Sequence, residues 1–361
     1  MRILFATDHI HVPQGGGGGE RNTHELCLAL REIGHTPAVL SSLKADRSWL
    51  SWRNRIARKF PDVGEFPEDT GCGYPVFRGW NMDRAHEAVS RFRPDVVVVQ
   101  STHPEQLLHA FAASGVKLVV YFHEVEEIHH LTALAGRGLL VLANSAFTAR
   151  RLREACGLDA HVVPPLIDPA LYVTKTTPSR LLFVNTVPRK GLEIAFALAE
   201  RRPDIPCDFL LSWILSPERV AELQARATRA GNITLHPPTS DMRPFYATAR
   251  VLLVPSLWEE TWGRVVTEAH VNAIPVLASE RGGLPGTTGP GGIIVPADAP
   301  IPHWHEALAL LWDDATCCAE LSRAALAFSA RSEIRPATIV DGLVDLLTRK
   351  DPMPGPHNDV G

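Results

Sequence analysis

Short apolar runs rich in Val, Leu and Ile recur along the whole chain, separated by longer stretches of mixed polarity. RILFAT at 2–7, TPAVL at 36–40, DVVVVQ at 95–100, KLVVYF at 117–122 and GLLVLA at 138–143 form a first series, and VVPPLID at 162–168 reads as a strand ending in a turn. A second series holds LLFV at 181–184, FLL at 209–211, ITL at 233–235, VLLV at 251–254, PVLA at 275–278 and IIV at 293–295. These runs are continuous rather than alternating, so they predict strands buried on both faces, the pattern of parallel sheets. Helical segments are predicted between and after them, over about 21–34, 149–155, 190–200, 265–271, 303–311, 316–330 and 339–347. The first carries Leu26, Leu28 and Leu30 and stops at Gly34, a normal residue for a helix end.

Strand and helix in alternation predict an α/β fold. At 361 residues the chain exceeds the size at which one core stops growing. Two Rossmann-like domains are expected: 1–172, and 180–335 after the polar, proline-marked linker VTKTTPS at 173–179. A helix within 336–350 can pack back toward the N-terminal domain. The Pro/Gly-rich tail 351–361 reads as disordered.

One stretch breaks the rhythm. LKADRSWLSWRNRIARKF at 43–60 sets Trp49, Trp52, Ile56 and Phe60 near helical spacing beside Arg47, Arg53, Arg55, Arg58 and Lys59. It reads either as a weak contact with anionic lipid or an anionic acceptor, or as a surface helix whose aromatics pack on their own domain, and the second reading is favoured.

Composition adds little direction. Hydrophobic residues make up 45% and charged residues 21%, and a net charge of -4 gives no general pull toward nucleic acid or membrane. The six cysteines are scattered without C-x-x-C or metal-like spacing, as reduced thiols would be. MRILFATDHI enters a strand without the marks of a signal peptide, and no apolar run reaches the roughly 18 residues of a membrane span. A cytoplasmic protein is expected, with the basic patch able to touch the inner face of the membrane.

Candidate chemistry gathers in PSLWEETWGRVVTEAHVNAIPVLASERGGLP, residues 255–285. Glu260 falls on the loop after the strand at 251–254, and Glu268 about one turn into the next helix. Ligands bind open α/β sheets beyond the carboxyl ends of their strands, where helix starts direct N–H groups at anions. An anion can therefore rest near Gly263 and Arg264. Each carboxylate can accept two hydroxyl hydrogen bonds, which suits a sugar or ribose, so the combination fits a nucleotide sugar. Two solvated acids at a helix start fit the spacing equally well.

Lys190-Gly191, opening the helix after the strand at 181–184, is suited to clamping a diphosphate. The loop HVPQ followed by Gly15 to Gly19 and Glu20 is almost all backbone and can approach a bound group closely, although it fits neither a dinucleotide nor a P-loop motif. His123 follows the strand at 117–122 on the ligand side and can orient a hydroxyl or move a proton. The cluster His123, Glu124, Glu126, Glu127, His129 and His130 lacks H-E-x-x-H spacing, so no metal site is expected there.

Together these residues resemble the family 4 retaining glycosyltransferases of the glycosyltransferase-B fold, two Rossmann-like domains facing across a cleft. The resemblance rests on Pro255-Ser256, Glu260-x7-Glu268-Ala269, Pro275-Val276 and Gly282-Gly283-Leu284-Pro285, in order. The glycine loop with Glu20, Gly34-His35-Thr36, Asn144-Ser145-x-Phe-Thr148, the turn from Pro164 to Asp168, and Lys190-Gly191 support it.

The resemblance implies that Glu268 holds the ribose hydroxyls of a donor nucleotide and Glu260 the hydroxyls of the transferred sugar. Lys190 would neutralise the diphosphate with help from backbone N–H groups at Thr261 to Val265, Gly263 among them. His123 would lie near the reacting centre, and Gly18 and Gly19 beside phosphate and acceptor. The chain departs from the family twice. Asn185 stands where an arginine is usual, leaving Arg189 or, by preference, Arg264 to supply the charge, and Gly286 stands where a glutamate is common. The expected activity is retaining, metal-independent transfer of a sugar from a nucleoside diphosphate sugar, a UDP-sugar first, to an unidentified small-molecule, glycan or lipid-linked acceptor, with no cofactor. A non-catalytic nucleotide-sugar-binding protein and a nucleotide-sugar epimerase or hydrolase of the same fold are the alternatives.

Overall fold

Valine-rich runs do become the centres of two parallel sheets in the computed structural model, which describes residues 1–60, 64–211 and 215–349. The tail expected to be disordered lies outside the described residues. Contacts divide the chain into residues 1–166 with 336–361, and residues 167–335.

The first unit contains β1 (Arg2–Ile10), β2 (Thr36–Ser42), β3 (Glu68–Asp69), β4 (Val76–Gly79), β5 (Val96–Val99), β6 (Lys117–Phe122), β7 (Leu140–Ala143) and β8 (His161–Val162), in the order β3-β4-β2-β1-β5-β6-β7-β8. Pairing is parallel except between β3 and β4. Leu4 and Ala6 enter one hydrophobic cluster while Ile3 and Phe5 enter another, so both faces of the sheet are covered. This is why the strand sequences do not alternate. The expected strand at 162–168 shrinks to two residues, because Pro164 and Pro165 cannot donate to a ladder. The short β3 and β4 have no forecast in the sequence pattern. The last helix, Pro336–Thr348, packs on the helix Gly18–Glu32, adding Ile339, Val340 and Leu343 to the first unit's core.

In the second unit β9 (Arg180–Val184), β10 (Cys207–Leu210), β11 (Ile233–His236), β12 (Ala249–Val254), β13 (Val276–Ser279) and β14 (Gly292–Val295) form an all-parallel sheet ordered β11-β10-β9-β12-β13-β14. Leu181 and Phe183 face one cluster and Leu182 the other. This unit begins at Ile167, earlier than the expected boundary after residue 172, because Ile167 and Tyr172 are buried among its core residues. The stretch 173–179 is pinned to the same unit: Thr177 and Ser179 donate backbone N–H bonds to the carbonyls of Ala247 and Thr248.

Both sheets reverse their strand order beside their first strand. From β1 the chain moves to β2 on one side and later returns to β5 on the other, and from β9 it moves to β10 and later returns to β12. Loops diverge at such points, which is where open α/β sheets hold ligands.

Candidate functional site

At the switch point of the second unit, the loop after β9 turns through Asn185 and a short 3-10 helix, Pro188–Lys190, into the helix Leu192–Arg201. Asn185 has a positive φ of 74°, a conformation that Asn tolerates better than most residues. Gly191 has φ 81°, and a Cβ there would collide with the carbonyl of Pro255. The turn is thus pressed against the loop following β12. That loop answers with two backbone N–H bonds, from Leu257 at 2.9 Å and Trp258 at 3.1 Å, to the carbonyl of Arg189.

The stitched loops bring together side chains 70 positions apart. Lys190 Nζ forms a half-buried ion pair with Glu260 Oε1. The Arg189 guanidinium lies 3.9 Å from the ring centre of Trp258, on the exposed side of the same turn. A third loop closes from β13. Gly283 N donates to Glu260 O at 2.5 Å, and a Cβ on Gly282 or Gly283 would strike the backbone of residues 259–261. The two glycines of Gly282-Gly283-Leu284-Pro285 are therefore required by backbone-on-backbone packing beneath Glu260.

Behind this pair lies a second cluster. The helix Arg264–His270 starts from Gly263 at φ 78°. Its Glu268 is 5% exposed and accepts a hydrogen bond from Tyr246 Oη at 2.7 Å. Arg264 Nε stands 3.6 Å from Glu268 Oε1, and its Nη2 donates to Tyr172 Oη at 3.1 Å. Burial, then the Glu268 carboxylate, push the Tyr246 hydroxyl well above its ordinary pKa, so it stays a donor to Glu268. Val265 follows Arg264 in the first helical turn and is only partly buried.

The structure thus joins Arg189, Lys190 and Glu260 in one group and Arg264 and Glu268 in another on the adjoining helix. Arg264, assigned to the diphosphate from the sequence, is engaged with Glu268 and Tyr172. Tyr172, Tyr246 and the stacking role of Trp258 escaped the sequence reading. The first two lie in segments with no motif of their own, whereas Trp258 stands inside the 255–285 stretch and its spacing to Glu260 was visible.

Gly18, Gly19 and His123 belong to the first unit, at its own switch point. The helix Gly18–Glu32 begins three residues before the expected start, so Gly18 and Gly19 form its first turn. A Cβ on Gly19 would lie 3.9 Å from His123 Cγ, which places the helix start against that ring. His123 also lies near Tyr121, ring centres 4.1 Å apart, and Asn144 Nδ2 donates to its carbonyl at 3.3 Å. Asn144 and Ser145 act as a helix cap: Ser145 Oγ accepts from Thr148 N at 3.0 Å and Asn144 Oδ1 from Thr148 Oγ1 at 2.7 Å. Glu20 is half-buried, and that burial raises its carboxyl pKa above the usual range. His11, at the end of β1, shares a hydrogen bond with Tyr74 Oη at 2.9 Å, and burial, then Arg78 and His24, lower its pKa to about 3.

The aromatic and basic stretch forms the helix Trp49–Ala57. Trp49 is 69% and Trp52 52% exposed, with their rings 4.7 Å apart, so the favoured reading of inward packing does not hold for them. The two rings shield each other and leave a basic aromatic surface.

Residues 16–171 match the family described as Glycosyltransferase Family 4, and residues 179–314 match Glycosyl transferases group 1. Among curated proteins the chain is 29% identical over 184 residues to a D-inositol 3-phosphate glycosyltransferase of Arthrobacter sp. (strain FB24), covering 47% of this chain and 43% of that protein. A protein of the same name from Mycolicibacterium paratuberculosis is 35% identical over 122 residues, 32% of this chain and 27% of that one. The chain spans less than half the length of these curated relatives. Likeness to solved structures is complete in extent. Sucrose-phosphate synthase from Thermosynechococcus elongatus superposes with a TM-score of 0.77 at 14% identity, covering 96% of this chain and 98% of that one. Anabaena HepE in complex with UDP-glucose gives 0.75 at 19%, covering 96% and 99%. At such identities the likeness is one of fold, two parallel-sheet α/β domains of the glycosyltransferase-B type. With family models matched in both of its units, the chain belongs to family 4 of the glycosyltransferases, in the group 1 glycosyl transferases.

Proposed function

We propose that this chain transfers a sugar from a nucleoside diphosphate sugar to an acceptor hydroxyl with retention of anomeric configuration and without need of a metal ion. The observation that supports this most is the meeting of Lys190 and Glu260 across the switch point of the second unit, beside the buried Glu268. A cation and two carboxylates, spaced over adjoining loops, match the parts of one donor. Glu268, paired with Arg264 and hydrogen-bonded by Tyr246, receives the ribose hydroxyls. Lys190 leaves Glu260 for the diphosphate, and Glu260 is released to accept from the sugar hydroxyls. As the bond to the leaving group breaks, negative charge grows on phosphate oxygens, where a preorganised ammonium is worth most.

Arg264 acts in this scheme through Glu268, and Arg189, stacked on Trp258, adds positive charge at the rim. A UDP-sugar is the first candidate donor, in keeping with the UDP-glucose bound to the similarly folded HepE. The exposed aromatic and basic helix Trp49–Ala57 suits an acidic acceptor or one held at an anionic membrane surface; among the described residues no helix is long and apolar enough to cross a membrane. Incubation with UDP-, GDP-, ADP- and TDP-sugars, with and without candidate polyol and glycan acceptors, tests the reading. Nucleoside diphosphate release stimulated by acceptor, insensitive to chelator and yielding an α-linked product from an α-linked donor, is expected. Binding without turnover, or an isomerised nucleotide sugar, would overturn it.

A further inference from the structure

Away from the residues assigned to the donor, three side chains of the first unit converge on one point. His103 caps the start of the helix Pro104–Phe111, Glu105 lies in its first turn, and His130 comes from the 3-10 helix Ile128–Leu134 after β6. His103 Nδ1 and His130 Nε2 are 3.2 Å apart, and His130 Nε2 and Glu105 Oε1 are 3.4 Å apart. One ligand atom from each of the three lies within 4.8 Å of the others. Four-coordinate zinc, with bonds of about 2.0–2.2 Å to nitrogen and oxygen, sets its ligand atoms about 3.3 Å from one another. Both measured edges fall at that spacing, and rotation of the Glu105 carboxylate adjusts the third.

Proton counting leads the same way. His130 Nδ1 is hydrogen-bonded to the backbone carbonyl of Glu127, an acceptor only, so this nitrogen carries a proton and Nε2 is the ring atom turned toward the cluster. A histidine ligand held by a carbonyl on its other nitrogen is the usual outer support of a metal site. All three residues are at least partly open to solvent, which leaves a coordination position for water.

We infer that His103, Glu105 and His130 bind a zinc-class divalent cation. His130 belongs to the local cluster whose spacing lacks a metal motif, and its partners come from 25 or more positions earlier, where no motif search joins them. The bound ion staples the loop after β5 to the loop after β6, already tied by Thr102 Oγ1 donating to Glu124 Oε2 at 3.2 Å. The latter loop begins at His123, so the ion would steady the region carrying that ring without touching the donor residues.

The test is calorimetric titration of untagged, chelator-stripped full-length protein with zinc chloride, and a parallel titration with cobalt followed by absorption. One saturable site of micromolar or tighter affinity is expected, with the intense d–d bands of four-coordinate cobalt. His103→Ala and His130→Ala should each weaken it by more than the roughly 10- to 100-fold that loss of an outer support costs. His109→Ala and His129→Ala, two other exposed histidines, should leave it unchanged. All four side chains are exposed, so circular dichroism should report folded variants. No saturable zinc heat, weak six-coordinate cobalt bands, or zinc binding that survives the His103→Ala/His130→Ala pair would each overturn the site. The readout is metal binding rather than turnover, so its failure is independent of the transferase reading.

Discussion

Beside β1 in the first unit and β9 in the second, diverging loops form the walls of two comparable gaps, and the two are lined in opposite ways. In the second unit the walls carry fixed charge: Lys190 against Glu260, and Arg264 against a buried Glu268. In the first they carry the backbone of the glycines at the start of the helix Gly18–Glu32, His11, whose pKa burial lowers to about 3, and Glu20, whose carboxyl pKa burial raises. Backbone and uncharged imidazole suit hydroxyl groups, whereas a cation between carboxylates suits a diphosphate flanked by a ribose and a sugar. Under the proposed function the second unit takes the donor and the first the acceptor, without either surface needing an overall charge.

Removing Glu268 should break this division most severely. Each hydrogen bond to a charged acceptor is worth about 1.5–3 kcal/mol, so loss of two ribose contacts in Glu268→Ala should weaken UDP binding by about 10²-fold or more. Glu20→Ala, in the first unit's gap, should leave UDP affinity within about twofold. Calorimetry showing Glu268→Ala unchanged would sink the ribose assignment, and an equal loss in both variants would erase the contrast.

Lys190→Ala is expected to lower turnover by roughly 10² through lost stabilisation of the leaving group. The variant also strands Glu260, a half-buried carboxylate, so the pair should be tested as a cycle with Glu260→Gln. Coupled losses of stability and turnover would show that the ion pair is the resting form of the diphosphate clamp. Near-normal turnover in Lys190→Ala would move that role elsewhere.

The glycines divide along the same line. Gly191 holds φ 81° with no room for a Cβ beside Pro255, so Gly191→Ala should cost about 1–3 kcal/mol or more in urea unfolding. A Cβ on Gly16, in the glycine-rich loop of the first unit, meets nothing within 4 Å. Gly16→Ala should be neutral or stabilise by up to about 1 kcal/mol. Equal costs would mean that the first loop is as tightly specified as the second.

What could be read from the chain follows from how local each determinant is. Continuous apolar runs announced both sheets because a parallel strand covered on two faces has no polar side to show. The loop and helix positions of Glu260, Glu268 and Lys190 were legible for a related reason, since each follows such a run. The meeting of Lys190 with Glu260 was not, because it depends on β9 and β12 being neighbours and on Gly191 pressing against Pro255. Tyr172 and Tyr246 were missed because their hydroxyls act on Arg264 and Glu268 from segments without a motif. Asn185, a departure from the family pattern, is held at positive φ, so backbone conformation as well as charge bears on that position. Gly286 is the reverse case: a side chain there has open space, so the lack of the family glutamate is not imposed by packing.

The smallest expected effect concerns protons. Burial lowers the pKa of His11 to about 3 in the first unit and of His270 to about 4 in the second, against an ordinary value of 6.5. Between those values the unfolded chain binds protons that the folded chain refuses, so the stability these histidines contribute is present above about pH 6.5 and is lost as pH falls toward 4 and 3. From pH 7 to pH 6 each should account for less than about 1 kcal/mol. His11 rests on Tyr74, and its replacement disturbs that bond, whereas His270 lies beside Gly291, where a Cβ would come within 2.8 Å of His270 Nε2. His270→Asn therefore gives the cleaner measurement. Urea unfolding should show a shallower decline for the second unit's transition below pH 6.5 in this variant than in the parent. An unchanged slope would mean that other groups take up the protons, and that the neutral imidazoles of the two units are not a common source of acid sensitivity.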